Sequence, residues 1–383
     1  MAIDIKNLIE FAQRDINAID STGDTQTIID LFRFANRAGS TIYMYDSTSD
    51  LPNLLDDTGD IQRIAYVKNR REVYVNRGSW VPQTTAAPPP PPPPPNIGSN
   101  FGYSSGGFAP PATNIIDKFP FSTDANATDV GDLTGGRYNV AGQSSSTHGY
   151  TSGGFLFPNI LNIIEKFPFT SDGNASDVGD LTVGRYRHTG QSSTENGYNS
   201  GGGPPSTNLN VIDKFSFSSD GNASDVGDLT VGRRTPGGQS STANGYTSGG
   251  YGPTWTNIID KFPFSSDTNA SDVGDLTVAK EDLTGQNSLT HGYVSGGSIP
   301  PKTNVIEKFP FSSDGNATDV GDLTVTRNVA AGQSSTANGY TSGGKAVPGN
   351  SNVIDKYPFS SDANATDVGD LTSGRYGAAG QQY

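Results

Sequence analysis

The chain of 383 residues has no cysteine, which excludes disulfides, thiolate nucleophiles and cysteine-ligated zinc. It has three histidines, and they do not form a catalytic set. Apolar residues are only 32% of the total, and no apolar run approaches a membrane-crossing length. Residues 1–15 lack a basic start followed by an apolar block, so no secretory leader is expected. Positive charge is also short: 25 basic residues face 39 acidic ones, and a formal charge of -14 disfavours sequence-independent binding to nucleic acid. A chain of this kind is expected to be made in a cytoplasm and to stay in solution, or to leave by lysis inside a particle.

What is abundant is glycine, 48 residues, and repetition. Low hydrophobicity with much glycine would suit disorder, but an ordered period with recurring aromatics argues against it. The string Gly-Tyr-x-Ser-Gly-Gly places Tyr103, Tyr150, Tyr198, Tyr246, Tyr293 and Tyr340 at intervals of 47, 48, 48, 47 and 47 residues. Six copies at a near-constant period define a repeat architecture.

Each copy reads as four short strands. In one copy the first covers 139–144 and the second 148–154. Three copies carry Asn-Gly between these two strands (Asn196-Gly197, Asn244-Gly245, Asn338-Gly339), the dipeptide of tight hairpins. The third strand is Asn-x-Ile-Asp/Glu-Lys-Phe-Pro-Phe, which sets Phe119 and Phe121 on one face. The fourth is 128–134, anchored by Val130 and Leu133. Gly, Ser, Asp and Pro interrupt every copy too often for a helical solenoid. Four antiparallel strands per copy make the blade of a β-propeller, so residues 101–383 are expected to form an all-β, six-bladed ring. Residues 380–383 read as a first strand and 101–103 as the second strand beside it. Pairing of 378–382 with 101–106 would close the ring and remove its open edges.

Residues 1–83 read as a separate small α+β module. Ile5, Leu8, Ile9, Ala12 and Ile16 predict a helix over 3–19. A second helix is expected from Asp24 or Thr25 to Arg37, followed by Gly39. A strand at 42–45, a hairpin of 61–67 with 72–75, and a strand near 79–81 complete it. Residues 84–100 form a linker in which Pro88 to Pro95 are eight consecutive prolines. A polyproline rod rises about 3.1 Å per residue, giving a stiff spacer of roughly 25 Å. A docking site for a proline-reading domain is the alternative use.

Little in the repeats points to catalysis, and no catalytic residue is assigned. Asp124, Asn126, Asp129 and Asp132 belong to a recurring Asp-x-Asn-Ala-Thr/Ser-Asp-x-Gly-Asp string. Such oxygen-rich turns are the one place where calcium could sit, but the spacing is not that of a calcium loop and suits a tight polar turn better; no other cofactor is expected. The Asn-x-Ser/Thr triplets in that string are read as turn chemistry, not glycan sites. His148 and His291 occupy hairpin positions, and His188 lies in a variable connection where a surface role is expected. Arg137, Arg185, Arg233, Lys280, Arg327 and Arg375 follow the fourth strands and are expected to pair with carboxylates or carbonyls between blades, a ring of cations around the axis being the alternative.

The copies agree closely except in two stretches, one between the second and third strands and one after the fourth. In an up-and-down blade these two connections share a face, and the uniform 1–2 and 3–4 turns share the other. Candidate binding residues therefore sit in the variable connections. They are Phe108, Phe155, Phe157, Tyr251 and Trp255 between strands two and three, and Tyr186, Arg187, His188 and Arg234 after strand four. Aromatics on loops over a rigid scaffold are typical binding material.

The double glycine after a hairpin, the third-strand aromatic and the basic residue after the fourth strand resemble kelch repeats, although Ala127, Thr128, Val130 and Leu133 stand where kelch repeats carry a tryptophan. The strings Asn-Ala-Thr/Ser-Asp-Val-Gly-Asp-Leu-Thr and Ser-Ser-Thr-x-x-Gly-Tyr-Thr-Ser-Gly-Gly more closely resemble repeats in virion structural proteins of marine phages, cyanophages especially. Residues 41–81 resemble segments of phage tail fibre proteins. These resemblances imply a non-enzymatic virion component, multimeric in the particle, whose residues 1–83 dock on other virion proteins. Its propeller would recognise a host surface receptor or glycan, as a tail fibre does. A capsid decoration or head fibre, and a polysaccharide-degrading propeller enzyme, are the alternatives.

Overall fold

A computed structural model of the chain describes residues 42–45, 64–67, 72–76, 80–83, 98 and 100–383. The chain divides into two compact units, Met1–Pro92 and Pro93–Tyr383. In the first, Ile42–Tyr45, Ile64–Val67, Glu72–Asn76 and Trp80–Gln83 form one four-stranded sheet in that order. The first pair is parallel; the expected hairpin of the second and third strands is antiparallel, with Val67 opposite Glu72. The helices predicted over 3–19 and 24–37, and the proline run, lie outside the described residues.

The second unit is a six-bladed propeller of four-stranded antiparallel sheets, with no helix among its described residues. Blade 2 shows the pattern: Ala141–Ser144, His148–Ser152, Ile163–Pro168 and Ser176–Asp180 pair in sequence order. Blades 3 to 6 repeat it. Blade 1 joins Ala379–Gln382 to Phe101–Ser105, Ile115–Pro120 and Thr128–Asp132, with Ala379 opposite Ser105 and Gln382 opposite Gly102. The expected strand exchange therefore closes the ring. Strands are somewhat shorter than expected, and each fourth strand bulges at its valine, because Ile116 pairs with Gly131 while Asp117 pairs with Asp129.

The core is not one cluster but six seams between neighbouring blades. At one seam Tyr103, Ile116 and Leu133 of blade 1 pack on Phe167 and Phe169 of blade 2. Tyr340, Ile354 and Leu371 of blade 6 pack on Phe119 of blade 1 in the same way, so the closing seam is equivalent to the rest. Alternation explains the sequence. The tyrosine of Gly-Tyr turns into the seam, while the glycine lies under the third-strand ring; a Cβ on Gly102 would sit 2.4 Å from Phe119. Small seams recurring at a fixed period let a chain with few apolar residues bury the repeat tyrosine and the first third-strand ring of every blade, with rings such as Phe121 and Phe217 packed partly buried against them.

Two rings of ion pairs reinforce the seams. The inner one is fully buried: Arg137–Glu165 (3.0 Å), Arg185–Asp213, Arg233–Asp260 (2.9 Å), Lys280–Glu307 (2.7 Å), Arg327–Asp355 (2.8 Å) and Arg375–Asp117 (2.9 Å). Each cation follows a fourth strand and meets the third-strand carboxylate of the next blade, as the repeat pattern predicted; it is not an axial ring of free cations. The same carboxylate accepts from a threonine of the preceding blade, as Asp213 does from the Thr182 N–H (3.0 Å) and hydroxyl (2.7 Å). The outer ring is half-exposed and links third-strand lysines to the 3–4 turn of the next blade, as in Lys118–Asp172 (2.8 Å).

At the axis the first strands touch backbone to backbone. A Cβ on Gly142 would lie 2.2 Å from the Gly380 carbonyl oxygen, and one on Gly285 would lie 2.1 Å from that of Gly238. Only glycine permits that approach. Beside each of these glycines is a buried glutamine whose amide crosses to the next blade; Gln143 Nε2 donates to the Tyr198 carbonyl at 3.1 Å, and Gln381 Nε2 to that of Tyr150 at 2.9 Å.

Candidate functional site

The two variable connections of each blade meet on one face. The first residue of each variable 4–1 stretch bridges to a residue at or just beyond the end of the second strand of a neighbouring blade: Tyr376 to Phe108, Tyr138 to Phe155, Tyr186 to Gly203, Arg234 to Tyr251, Glu281 to Ser298 and Asn328 to Lys345. These bridges are main-chain pairs, so they hold the frame while the side chains vary. Where the chain joins the ring, it does so on the other face: the Gly98 N–H donates to the Ser334 carbonyl (2.7 Å), and its carbonyl accepts from Thr336 (3.1 Å), in the 1–2 hairpin of blade 6.

On the variable face, blades 6, 1 and 2 carry a continuous arc of half-buried rings. Tyr376 and Phe108 have centroids 5.5 Å apart, Phe108 and Tyr138 5.0 Å, Tyr138 and Phe155 5.6 Å, and Phe155 and Tyr186 5.4 Å. Phe157, 83% exposed, stands beside Phe155 at 6.3 Å. A cation caps each end: the Arg187 guanidinium lies over Tyr186 (5.3 Å) and Lys345 Nζ over Tyr376 (5.7 Å). Burial raises the Tyr376 phenol above its ordinary range, the neighbouring Tyr138 adds to this, and Arg187 opposes it.

The opposite half of the face is polar. Arg234 lies over Tyr251 (4.7 Å), Tyr251 meets Trp255 edge-on (6.0 Å), and the Trp255 Nε1–H donates to Glu281 Oε1 (3.3 Å). Asp282 accepts from Asn328 Nδ2 (2.9 Å). Burial, helped by the Glu281 charge, pushes the Asp282 carboxyl up to about 6, against the pull of Arg187, Arg234 and that hydrogen bond. Between the halves the axis opens into a polar cavity of about 130 Å³. Its mouth is ringed by Asn139, Arg187, Thr235, Asp282 and Val329, all at left-handed φ of 54–61°, with Gly377 at 68°. Main-chain bonds between blades hold that conformation: Arg187 N–H donates to Asn139 O (2.9 Å), Thr235 N–H to Arg187 O (2.6 Å), and Gly377 N–H to Val329 O (2.8 Å). The strain of non-glycine residues there is therefore borne by the ring itself.

The nine residues singled out in the sequence do not form one site. Phe108, Phe155, Phe157, Tyr186 and Arg187 gather on the arc; Arg234, Tyr251 and Trp255 sit together across the axis. His188 needs a correction. It is not a surface residue but is 5% exposed, in the slot that Val140, Pro236, Leu283, Ala330 and Ala378 fill in the other blades. Burial, with Arg185 and Arg137 nearby, pushes its imidazole down to about 3, although contacts to Ser152 and Asn199 favour the proton. A second correction concerns backbone. Tyr251 ends the long strand Asn244–Tyr251, Trp255 begins Trp255–Pro263, and Phe155 pairs with Ile160 in a two-residue ribbon, so these three are on strands, not loops.

Tyr138, Tyr376, Asp282 and Lys345 fall in the variable stretches that the sequence placed on this face, but they were not singled out as binding candidates. A signal was present: the triplet Gly-Arg-Tyr ends blades 6, 1 and 2 and no others. In the acidic turns, side chains point to separate protein partners: Asp124 meets Lys356, Asn126 Oδ1 accepts from Asp370 N–H (3.0 Å), and Asp129 Oδ1 from Gly131 N–H (3.2 Å). Among the described residues no group of three or more His, Asp or Glu is arranged to hold a metal. No protein-family model matches the chain, and no curated protein does.

Proposed function

We propose that the chain is a non-enzymatic virion structural protein of the tail-fibre type, in which the propeller recognises a host surface and residues 1–83 dock on the particle. One observation carries the binding role: the residues in which the six copies differ are collected on one face, over a scaffold whose seams, ion pairs and axis are otherwise uniform. Gly98 is bonded to the 1–2 hairpin of blade 6, on the opposite face. The assignment to a virion rests on the resemblance of the repeat strings and of residues 41–81 to phage proteins. A stiff proline spacer suits a chain whose one end is anchored while the other must reach.

The test is adsorption to intact marine cyanobacterial cells by the purified, labelled full chain. Tyr138→Ala with Phe155→Ala should weaken adsorption by about tenfold or more, since truncated aromatic anchors commonly cost about 2 kcal/mol. Asp129→Ala with Asp177→Ala, on the uniform fourth strands, should leave it unchanged. The binding reading fails if the aromatic variant adsorbs like the parent. The docking role of residues 1–83 fails if a chain lacking them is still recovered in purified particles, and the virion reading fails if the full chain is absent from them.

A further inference from the structure

We infer that the arc of rings on blades 6, 1 and 2 is a binding platform for an anionic polysaccharide, one whose sugar rings stack on the aromatics and whose carboxylates or sulfates meet Arg187 and Lys345. This rests on the proposed binding role of the variable face and names the ligand class for it.

Three observations lead there. First, the five rings from Tyr376 to Tyr186 follow one another at 5.0–5.6 Å between centroids, all half-buried. A sequence of ring faces and edges, with phenol hydroxyls alongside, suits the alternating C–H and hydroxyl faces of an extended sugar chain. A compact apolar side chain would need a pocket, which the arc is not. Second, a cation stands at either end of the arc, Arg187 over Tyr186 and Lys345 over Tyr376. Among the described residues neither forms an ion pair with a carboxylate, although Arg187 is near enough to Asp282 to pull on its charge. Third, charge is segregated. Every blade repeats two cations and four carboxylates, so the frame is acidic throughout. Outside that frame the propeller has seven charged residues. All four cations among them, Arg187, Arg234, Lys302 and Lys345, are on the variable face, against Glu281 and Asp282 there and Glu195 in a 1–2 hairpin. The variable face is thus a cationic island on a protein of net charge -14, which keeps anions away everywhere else.

Single-stranded nucleic acid also stacks on aromatics. Its continuous phosphate charge would meet the acidic frame surrounding the arc, with only a few cations to offset it. A polysaccharide carrying one charge per sugar or fewer fits two separated cations better.

The experiment uses the purified full chain and measures binding to polygalacturonate, dextran sulfate, neutral dextran and oligo(dT). The expected result is binding to at least one charged polysaccharide about tenfold or more above neutral dextran, weakened by salt. The polygalacturonate and dextran sulfate arms separate a carboxylate ligand from a sulfate one. Arg187→Gln with Lys345→Gln should remove the preference for charge, and Tyr138→Ala should weaken the charged ligand by about tenfold; melting curves of both variants should match the parent. Equal binding to neutral dextran, indifference to the Arg187/Lys345 change, or tighter binding to oligo(dT) overturns the proposal. Absence of binding to either charged polysaccharide also overturns it. If cell adsorption is still lost on changing Tyr138 and Phe155, the face is right and the ligand class is wrong; if adsorption is kept, the face itself is wrong.

Discussion

Replacing Asp213 by Asn separates the two rings of ion pairs by magnitude. Asp213 and Arg185 are both fully buried, and the carboxylate also holds the Thr182 N–H and hydroxyl. Asparagine keeps the shape and can still accept one of those bonds, but it leaves the Arg185 guanidinium charged and sealed from water. Burial already lowers the Arg185 pKa against the pull of Asp213, so the cation depends on that partner. Removing one member of a buried pair costs about 3–5 kcal/mol. For a domain of this size that is a fall in melting temperature on the order of 6–12 °C. The outer pair gives the contrast. Lys214 meets Asp267, whose side chain is 56% exposed, so Lys214→Met should cost at most about 1 kcal/mol, roughly 2 °C. The double change Arg185→Met with Asp213→Leu should recover most of the loss, because it removes both charges together. Thermal unfolding of the full chain followed by circular dichroism near neutral pH reads all three. If Asp213→Asn melts within a degree or so of the parent, or if Lys214→Met falls as far, the inner ring does not hold the seams as described.

Two further outcomes are expected. Ending the chain at Ala378 removes the strand opposite Gly102 to Ser105, the three bonds of the Gln381 amide to Ser105, Tyr150 and Thr151, and the stacking of Tyr383 on Phe169; the ring should lose its sharp unfolding transition or aggregate through the open edge, and an unchanged melt would refute the closure. His188 is held neutral in the fold, with its pKa depressed to about 3, while the unfolded chain takes up the proton near 6.5. The unfolded state therefore binds more protons between those values, and stability is lost as pH falls below about 6.5; His188→Leu should flatten that part of the stability–pH profile, and an unaltered profile would show that His188 does not set it.

The sequence by itself determined the number of blades, the four strands in each, the closing strand, the pairing of fourth-strand cations with carboxylates and the sharing of a face by the two variable connections. Most of these follow from local rules repeated six times: the two-residue alternation around Gly-Tyr and Lys-Phe-Pro-Phe, and a constant period; Asn-Gly, expected in the 1–2 turn of three copies, instead opens the second strand, with Gly197 paired to Ser192. Only the tertiary structure decided which variable residues meet. Phe108 touches Tyr376 although they are separated by nearly the whole ring, because closure makes blades 6 and 1 neighbours, and chain distance carries no trace of that. His188 looked like a loop residue because its triplet is variable; its burial shows only when it is superposed on Val140 and Leu283, which fill the same slot as apolar packing. The charge of the variable face was hidden for a similar reason. Lys302, Lys345, Arg187 and Arg234 are spread over four blades of an acidic chain, and they become one surface because every second connection of an up-and-down blade returns to the same side.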